Sequence, residues 1–426
     1  MPTIKRLSGL EILDSRGRPT VLARCELASG VFGTASVPSG ASTGTAEALE
    51  LRDGDPNRYR GLGCRKAVSH INHELNLALA NRAFEQQSQL DAALLELDGT
   101  SNKAGLGANA ILAVSLAFAR AVATERQIPL YRHFTAILDE NTSLRSLPRP
   151  TINLFSGGKH AGAQVSIQDV LIVATSAKTI DEALAMTFAV YQAAAELTQR
   201  KYGMRTLTAD EGGLAPPFPN TSTMLEDAVE AIQAAGLTLG QDIALALDIA
   251  ASHFYRGGRY HLDHEPLEGI AMVEQLLNWL ETYPIVSIED GLAEDDWAHW
   301  PALQAQVAGR ALVLGDDLLC TNPTRIQRAI ERQAADALLL KVNQIGTLTE
   351  AAQACRLARA AGWQVTVSAR SGETEDNWLA DLAVGWAGDQ IKIGSITQSE
   401  RLAKYNRLLE IEAETGLPLV DWPQLA

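Results

Sequence analysis

Asp248, Glu289, Asp316, Lys341, Arg370 and Lys392 each stand at the end of a short apolar, strand-like run, and the three acids precede the three bases. Asp248 closes the run 243–247, Glu289 closes 285–288, Asp316 follows 311–315, Lys341 follows 337–340, Arg370 follows 365–369 and Lys392 follows 390–391. From Glu289 onward the spacings run from 22 to 29 residues, the length of one strand, one helix and two short loops. That period predicts a parallel β/α barrel, whose strand carboxyl ends all meet on one face. Side chains far apart in the chain then converge on one pocket. The order of charges predicts a cation site of three carboxylates facing a cationic site for an anion.

Any one of Asp248, Glu289 and Asp316 reads equally well as a helix N-cap or loop residue. Three together form an all-oxygen cluster whose mutual repulsion calls for a cation, and oxygen donors favour Mg²⁺ over zinc. Asp317 adjoins Asp316, but strand alternation turns one of two neighbours away, and Asp316 is the expected ligand. Lys341 lies within Leu338-Leu-Leu-Lys-Val-Asn343, where a lone charge is costly unless it faces a polar centre. It reads either as one half of a buried ion pair or as a general base. Near bound cations a lysine can lose its proton and take one from a carbon next to a carboxylate. The enolate so formed needs metal charge on its oxygens.

A β leaving group would need an acid on the opposite side, and Asp210-Glu211-Gly-Gly213 offers one on a turn whose glycines admit a close ligand. A solvated turn is the plain alternative. Arg370, Ser371 and Lys392 suit phosphate and carboxylate oxygens, or the cations pair with the barrel acids. His160, in Gly157-Gly-Lys-His-Ala-Gly162, is a pocket-loop candidate or a structural hydrogen bonder. Ser39-Gly-Ala-Ser-Thr-Gly44 lacks the Gly-Lys-Ser/Thr ending of a P-loop and reads as a flexible loop. The chain has no His-Glu-x-x-His zinc motif and no Gly-x-Ser-x-Gly elbow, so nucleophilic hydrolysis has no support.

The elements that must position these groups fall into two parts. Residues 3–13 and 20–37 alternate as strands, with a turn at Ser29-Gly30, and helical patterns follow near 59–80, 84–97, 107–125 and 129–138. The stretch 139–150 breaks all periodicity with two prolines and is the expected linker between an N-terminal α+β domain, 1–138, and a barrel, 151–426. Strand-like runs at 151–155 and 168–174 then precede helical patterns at 180–200, 223–235, 269–282 and 348–361. A chain of 426 residues with 46% hydrophobic and 20% charged residues is ordinary globular material. Its net charge of −15 argues against nucleic acid or an anionic membrane as partner. Cys25, Cys64, Cys320 and Cys355 are too dispersed for a metal or redox motif and read as free thiols of a reducing, cytoplasmic setting. Residues 1–15 lack the apolar core of a signal peptide, and 107–123, interrupted by Arg120, reads as a buried helix.

A resemblance now spans nearly the whole chain. Asp14-Ser-Arg-Gly17, Pro38-Ser-Gly-Ala-Ser-Thr-Gly44, Glu47-Ala-Leu-Glu-Leu-Arg-Asp53, Gly107-Ala-Asn-Ala-Ile-Leu-Ala-Val-Ser-Leu116, Ser287-Ile-Glu-Asp290, Lys341-Val-Asn-Gln-Ile-Gly346, Ser371-Gly-Glu-Thr-Glu-Asp376 and Ser399-Glu-Arg-Leu-Ala-Lys404 resemble the enolase (phosphopyruvate hydratase) family. The resemblance implies an N-terminal domain of three strands and a helical bundle, then an eightfold barrel that begins out of plain β/α order. It also implies reversible dehydration of 2-phosphoglycerate to phosphoenolpyruvate in glycolysis, two Mg²⁺ ions with the second arriving with substrate, and a homodimer or larger assembly. A lysine base working beside one or two Mg²⁺ is that superfamily's general solution, and the assignment to Lys341 is carried over from it.

By the same resemblance, Asp248, Glu289 and Asp316 match the first-metal ligands and Ser42 the mobile-loop serine that joins the second metal. Lys341 matches the base and Glu211 the acid. His160, Gln168, Asp169, Arg370, Ser371 and Lys392 match positions that touch substrate. The chain departs from the pattern at several of these places. Ala369 replaces a histidine, Asp169 a glutamate, Ser156 an asparagine, Ala209 a glycine, Ile393 a threonine and His253 a glutamate. The changes gather on the side that handles the departing hydroxyl. Three readings follow: a working enolase, a paralogue acting on another phosphorylated or phosphonate carboxylate, and a binding or structural protein.

Overall fold

The alternating N-terminal runs pair as an antiparallel sheet of β1 (Ile4–Leu13), β2 (Pro19–Leu27) and β3 (Phe32–Ser36), in a computed structural model that describes residues 1–139, 143–203 and 207–422. Val21, Ala23, Cys25 and Leu27 all point to one buried face, as period-two alternation requires. The helix Ala108–Glu125 lies across that face. Gly33 makes the close approach possible, since a Cβ there would run into the backbone of Ala117 and Ala121. This helix has the length and apolarity to cross a membrane, with a mean hydropathy of 1.3, yet 83% of it is buried inside the protein. Arg120 breaks the apolar run and spends its charge on Asp376 and on the Thr34 carbonyl at 2.6 Å.

The helical pattern expected from residue 59 starts later. Tyr59–Gly61 forms a single 3₁₀ turn in which Tyr59 and Arg60 have φ of 47° and 53°, and helix begins at Arg65. Arg58 explains the delay, because it turns back onto Glu11 of β1 instead of continuing a helix.

The barrel strands are β4 (Arg149–Ser156), β5 (Asp169–Ala174), β6 (Ile243–Asp248) and, after a small outer sheet of β7 (Tyr255–Arg256), β8 (Arg259–Leu262) and β9 (Glu265–Leu267), β10 (Ile285–Glu289), β11 (Leu312–Gly315), β12 (Ala337–Leu340), β13 (Gln364–Ser368) and β14 (Gln390–Gly394). They close in the order β10-β11-β12-β13-β14-β4-β5-β6. All neighbours are parallel except β5, which runs antiparallel to both β4 and β6. Two consecutive helices, Ile180–Tyr202 and Thr221–Ala234, then lead into β6. The early departure from plain β/α order is therefore as expected. β4 begins at Arg149, inside the stretch read as a linker, and residues 140–142 of that stretch lie outside the described residues.

Every residue of β4, β5, β6 and β10 is buried, because helices cover the outside while side chains fill the inside. Leu171, Val173, Ala244, Ala246, Val286 and Trp422 pack together at the amino-terminal end of the barrel. Above this apolar floor, the carboxyl ends of the strands form a rim where charge collects. All four cysteines are buried and unpaired with one another.

Candidate active site

The six charged residues of the spacing argument do meet on that rim, and all are buried, each at most 8% exposed. Their pairing is specific. Lys392 Nζ donates to Asp248 Oδ2 at 2.7 Å and to Glu289 Oε2 at 2.6 Å, so one ammonium bridges the two carboxylates. Lys341 Nζ is paired with Asp316 Oδ2. Gln344 Nε2 donates to the other Asp316 oxygen at 2.8 Å, and Gln168 Nε2 to Asp248 Oδ2 at 3.0 Å.

The acids thus do not form a bare trio. Two lysines stand among them, as the ion-pair reading had it. Burial and the neighbouring Asp248 push the Glu289 carboxyl well above its usual range. Asp248 moves the other way, since Lys392 and His160 outweigh its burial and hold it ionised. Burial also opposes a charge on Lys341, but Asp316 holds that ammonium in place. Asp317 takes no part in these contacts. Its backbone N–H and that of Asp316 donate to the Asp290 carboxylate at 2.7 and 2.9 Å. Alternation does not send Asp317 far, however. Asp290, Asp316 and Asp317 each place an oxygen within 4.8 Å of the others.

Across the mouth lies a second cluster, of His160, Asp169 and Glu211. His160 Nδ1 meets Asp169 Oδ2 at 2.9 Å and its Nε2 lies 3.7 Å from Glu211 Oε1. Ser156 Oγ donates to Asp169 Oδ1 at 2.5 Å, and Asn153 Nδ2 to Glu211 Oε2 at 3.0 Å. Burial works against a charge on His160, yet Asp169 and Glu211 together raise it to about 9. Glu211 is buried too, but His160, Arg401 and Lys392 keep it ionised. Burial in turn raises the Asp169 carboxyl, against the pull of His160, so ring and carboxylate share this buried charge between them.

The loop around Ser42 closes the mouth. Arg370 grips its Glu47 with two hydrogen bonds of 2.9 and 3.0 Å and donates to the Ser42 carbonyl at 2.8 Å. Ser371 Oγ accepts from Ala41 N at 2.7 Å. Gly40 passes so close that a Cβ would collide with the Arg370 guanidinium. Arg401 fixes the other side of this turn by donating to the carbonyls of Arg370 and Ser371.

Together these elements line a narrow cleft of about 10 Å³. His160, Gln168, Glu211, Asp248, Lys341 and Lys392 line it together with Ser42, Ala369, Arg370 and Ser371. Among the described residues, Asp169, Glu289 and Asp316 stand behind that wall. Asp169, which the resemblance implies touches substrate, bonds Ser156 and His160 with its two oxygens.

Residues 4–134 match the family described as "Enolase, N-terminal domain", and residues 144–419 match "Enolase, C-terminal TIM barrel domain". The chain belongs to the enolase family. Its barrel is the eightfold α/β type with an α+β domain before it, as the sequence implied, and lyase chemistry is the enolase superfamily's trade.

Enolase-superfamily sites are typically metal-dependent, and the donor set here fits a hard cation. Glu289 Oε1 is buried with no hydrogen-bond partner among the described residues, and Lys392 already holds a positive charge between Asp248 and Glu289. Four functional neighbours escaped the sequence reading: Glu47, Asn153, Gln344 and Thr321, which accepts from Lys341 N and donates to Gln344. Glu47 and Gln344 were inside quoted motifs, next to residues that drew the attention. Nothing in the sequence pointed to Asn153, which occupies an apolar strand.

Proposed function

We propose that this enolase-family chain is a Mg²⁺-dependent hydro-lyase that interconverts 2-phosphoglycerate and phosphoenolpyruvate. One observation carries the reading: Lys341, Asp248 and the His160–Glu211 pair line one small cleft, so a base and an acid reach the same small substrate. Mg²⁺ held by Asp248, Glu289 and Asp316, with a second ion near Ser42, would place positive charge on the substrate carboxylate and weaken the hold of Asp316 on the Lys341 proton. Once that proton has passed to solvent, the neutral Lys341 amine takes the α-proton onto Nζ. Arg370, Ser371 and Lys392 orient phosphate and carboxylate oxygens, Gln168 adds a polar contact, and the lid over Ser42 excludes water. The hydroxyl leaves on the Glu211 side.

Four buried thiols support a cytoplasmic setting, and exposed Leu10, Leu13 and Phe32 on the N-terminal sheet support a homodimer or larger assembly. A net charge of −15 supports the expectation of no nucleic-acid or membrane partner. The direct test is ultraviolet absorbance of phosphoenolpyruvate from 2-phosphoglycerate with Mg²⁺; no turnover at high enzyme rejects the reading.

A second reading is favoured by Ala369, which puts a methyl group on the wall where the family resemblance places an imidazole. Under it the enzyme enolizes a different phosphorylated or phosphonate carboxylate. Faster α-proton exchange on a phosphonate analogue than on 2-phosphoglycerate would select it.

A further inference from the structure

The small outer sheet of β7, β8 and β9 is bonded to three segments around the barrel mouth. Its second hairpin turns at Asp263 and His264, between the register partners Leu262 and Glu265. Both turn residues have positive φ, 46° and 76°, the two-residue geometry that matches the twist of paired strands. An aspartate tolerates that backbone when its carboxylate finds donors close by in the turn. Here the donors come from elsewhere. Ser166 N donates to Asp263 Oδ1 at 3.2 Å, and Asp263 N returns a bond of 2.6 Å to Ser166 Oγ. Thr221 N donates to Asp263 Oδ2 at 2.7 Å and Thr221 Oγ1 to Oδ1 at 3.0 Å.

One half-buried carboxylate thus joins two distant stretches of chain. Ser166 belongs to the loop 157–168, which carries His160 and ends on Gln168 at the cleft. Thr221 opens the helix Thr221–Ala234, at the end of the segment that starts with Glu211. A negative charge suits this place, because the first turn of a helix leaves backbone N–H groups without intrahelical partners. The base of the sheet is fixed as well. Tyr260, 0% exposed, donates to Asp296 Oδ2 at 2.6 Å and accepts from Ala293 N at 3.0 Å. Between those two residues, Glu294 Oε2 accepts from Thr45 N and Thr45 Oγ1 at 3.0 and 3.2 Å, and Thr45 belongs to the loop around Ser42. The sheet is therefore tied at its tip to the segments bearing His160, Gln168 and Glu211, and at its base to the segment on which the lid rests.

We propose that Asp263 is a positioning residue for the cleft, holding the loop 157–168 and the start of the helix Thr221–Ala234 in one arrangement before substrate arrives. It does not line the cleft and acts through Ser166 and Thr221. The loop needs such a hold, since three glycines within 157–162 give it many alternative conformations to lose. When the competent arrangement is only a fraction of the population, apparent affinity falls by that fraction. Asp263 keeps the fraction high. Its effect on the loop follows from geometry alone, whereas its effect on kinetics rests on the hydro-lyase reading above.

The test uses the full chain. Asp263→Asn keeps the turn, since asparagine accepts positive φ, but sets an amide group against donor N–H groups. Without substrate, amide hydrogen exchange across 158–168 and at Thr221 should speed up by about 10-fold or more, the scale of one charged hydrogen bond, while β12 and β13 exchange as before. Unchanged protection in 158–168 overturns the proposal, and so does a loss spread evenly over the barrel, which is a plain stability effect. Asp263→Gly fits the turn and lacks the carboxylate, so it should match Asp263→Asn; wild-type protection there would credit the turn rather than the side chain and overturn the role. With Mg²⁺ and 2-phosphoglycerate, Asp263→Asn should raise KM by about 10-fold and leave kcat within about 3-fold. A fall in kcat at constant KM overturns the positioning role. A wild type with no turnover overturns the function proposed above, and the exchange measurement still decides whether Asp263 holds the loop.

Discussion

Arg370 of the barrel and Glu47 of the N-terminal domain are joined by two parallel hydrogen bonds, with side chains only 2% and 9% exposed. The guanidinium expected to receive substrate oxygens is thus already answered by a carboxylate of the lid. An incoming phosphate must share Arg370 with Glu47 or displace it.

Glu47→Gln should therefore tighten binding of inorganic phosphate several-fold while slowing turnover, since the same change loosens the loop over Ser42. Titration calorimetry and steady-state rates measure the two effects. Unchanged phosphate affinity would show that Glu47 and the ligand do not compete. Glu47→Ala, which strands a buried charge, should also lower unfolding free energy by about 3–5 kcal/mol.

Lys341→Met removes the base and leaves Asp316 with Gln344 as its remaining side-chain donor. α-Proton exchange should fall by 10²-fold or more, roughly the range for a general base, with the folded circular-dichroism spectrum retained. Residual exchange near the wild-type rate would remove Lys341 from the mechanism.

Ala369→His restores a ring to the side of the cavity that faces the departing group. By itself it should alter turnover modestly. Turnover unchanged in the variant would show that the space at Ala369 does not reach the leaving group.

His133 gives a pH signature remote from chemistry. It is 5% exposed, neither ring nitrogen has a hydrogen-bond partner among the described residues, and burial, reinforced by Arg126, lowers it from 6.5 to about 4. The unfolded chain binds a proton below 6.5 that the folded chain refuses until about 4. Stability is then complete above the upper value and falls as pH drops through the window, by about 1.4 kcal/mol per unit from this residue alone. His133→Leu should flatten that slope in denaturant melts between pH 6.5 and 4. An equal slope in both proteins would rule the residue out.

Much of this was readable in advance, for a physical reason. A parallel barrel writes its active face at regular intervals, so Asp248, Glu289, Asp316, Lys341 and Lys392 declared themselves as charges ending apolar runs. Pairing was not readable. Which lysine meets which acid depends on strand register, and a spacing count does not contain it. Asp169 shows the same limit more sharply: its position implied a substrate contact, but its bonds to Ser156 and His160 depend on the β4–β5 register, which no motif spells out. The helix start misplaced at residue 59 was a matter of Arg58 preferring Glu11, a contact 47 residues away.

Because β5 runs against its neighbours, the connection 157–168 leaves and re-enters the barrel at the mouth, so a hairpin end sits where the other crossovers deliver strand tips. Its two legs can be altered in tandem without touching the apolar floor. Insertions in that segment would overhang the entrance and leave barrel closure intact, which makes this hairpin the natural place for the scaffold to trade one substrate for another.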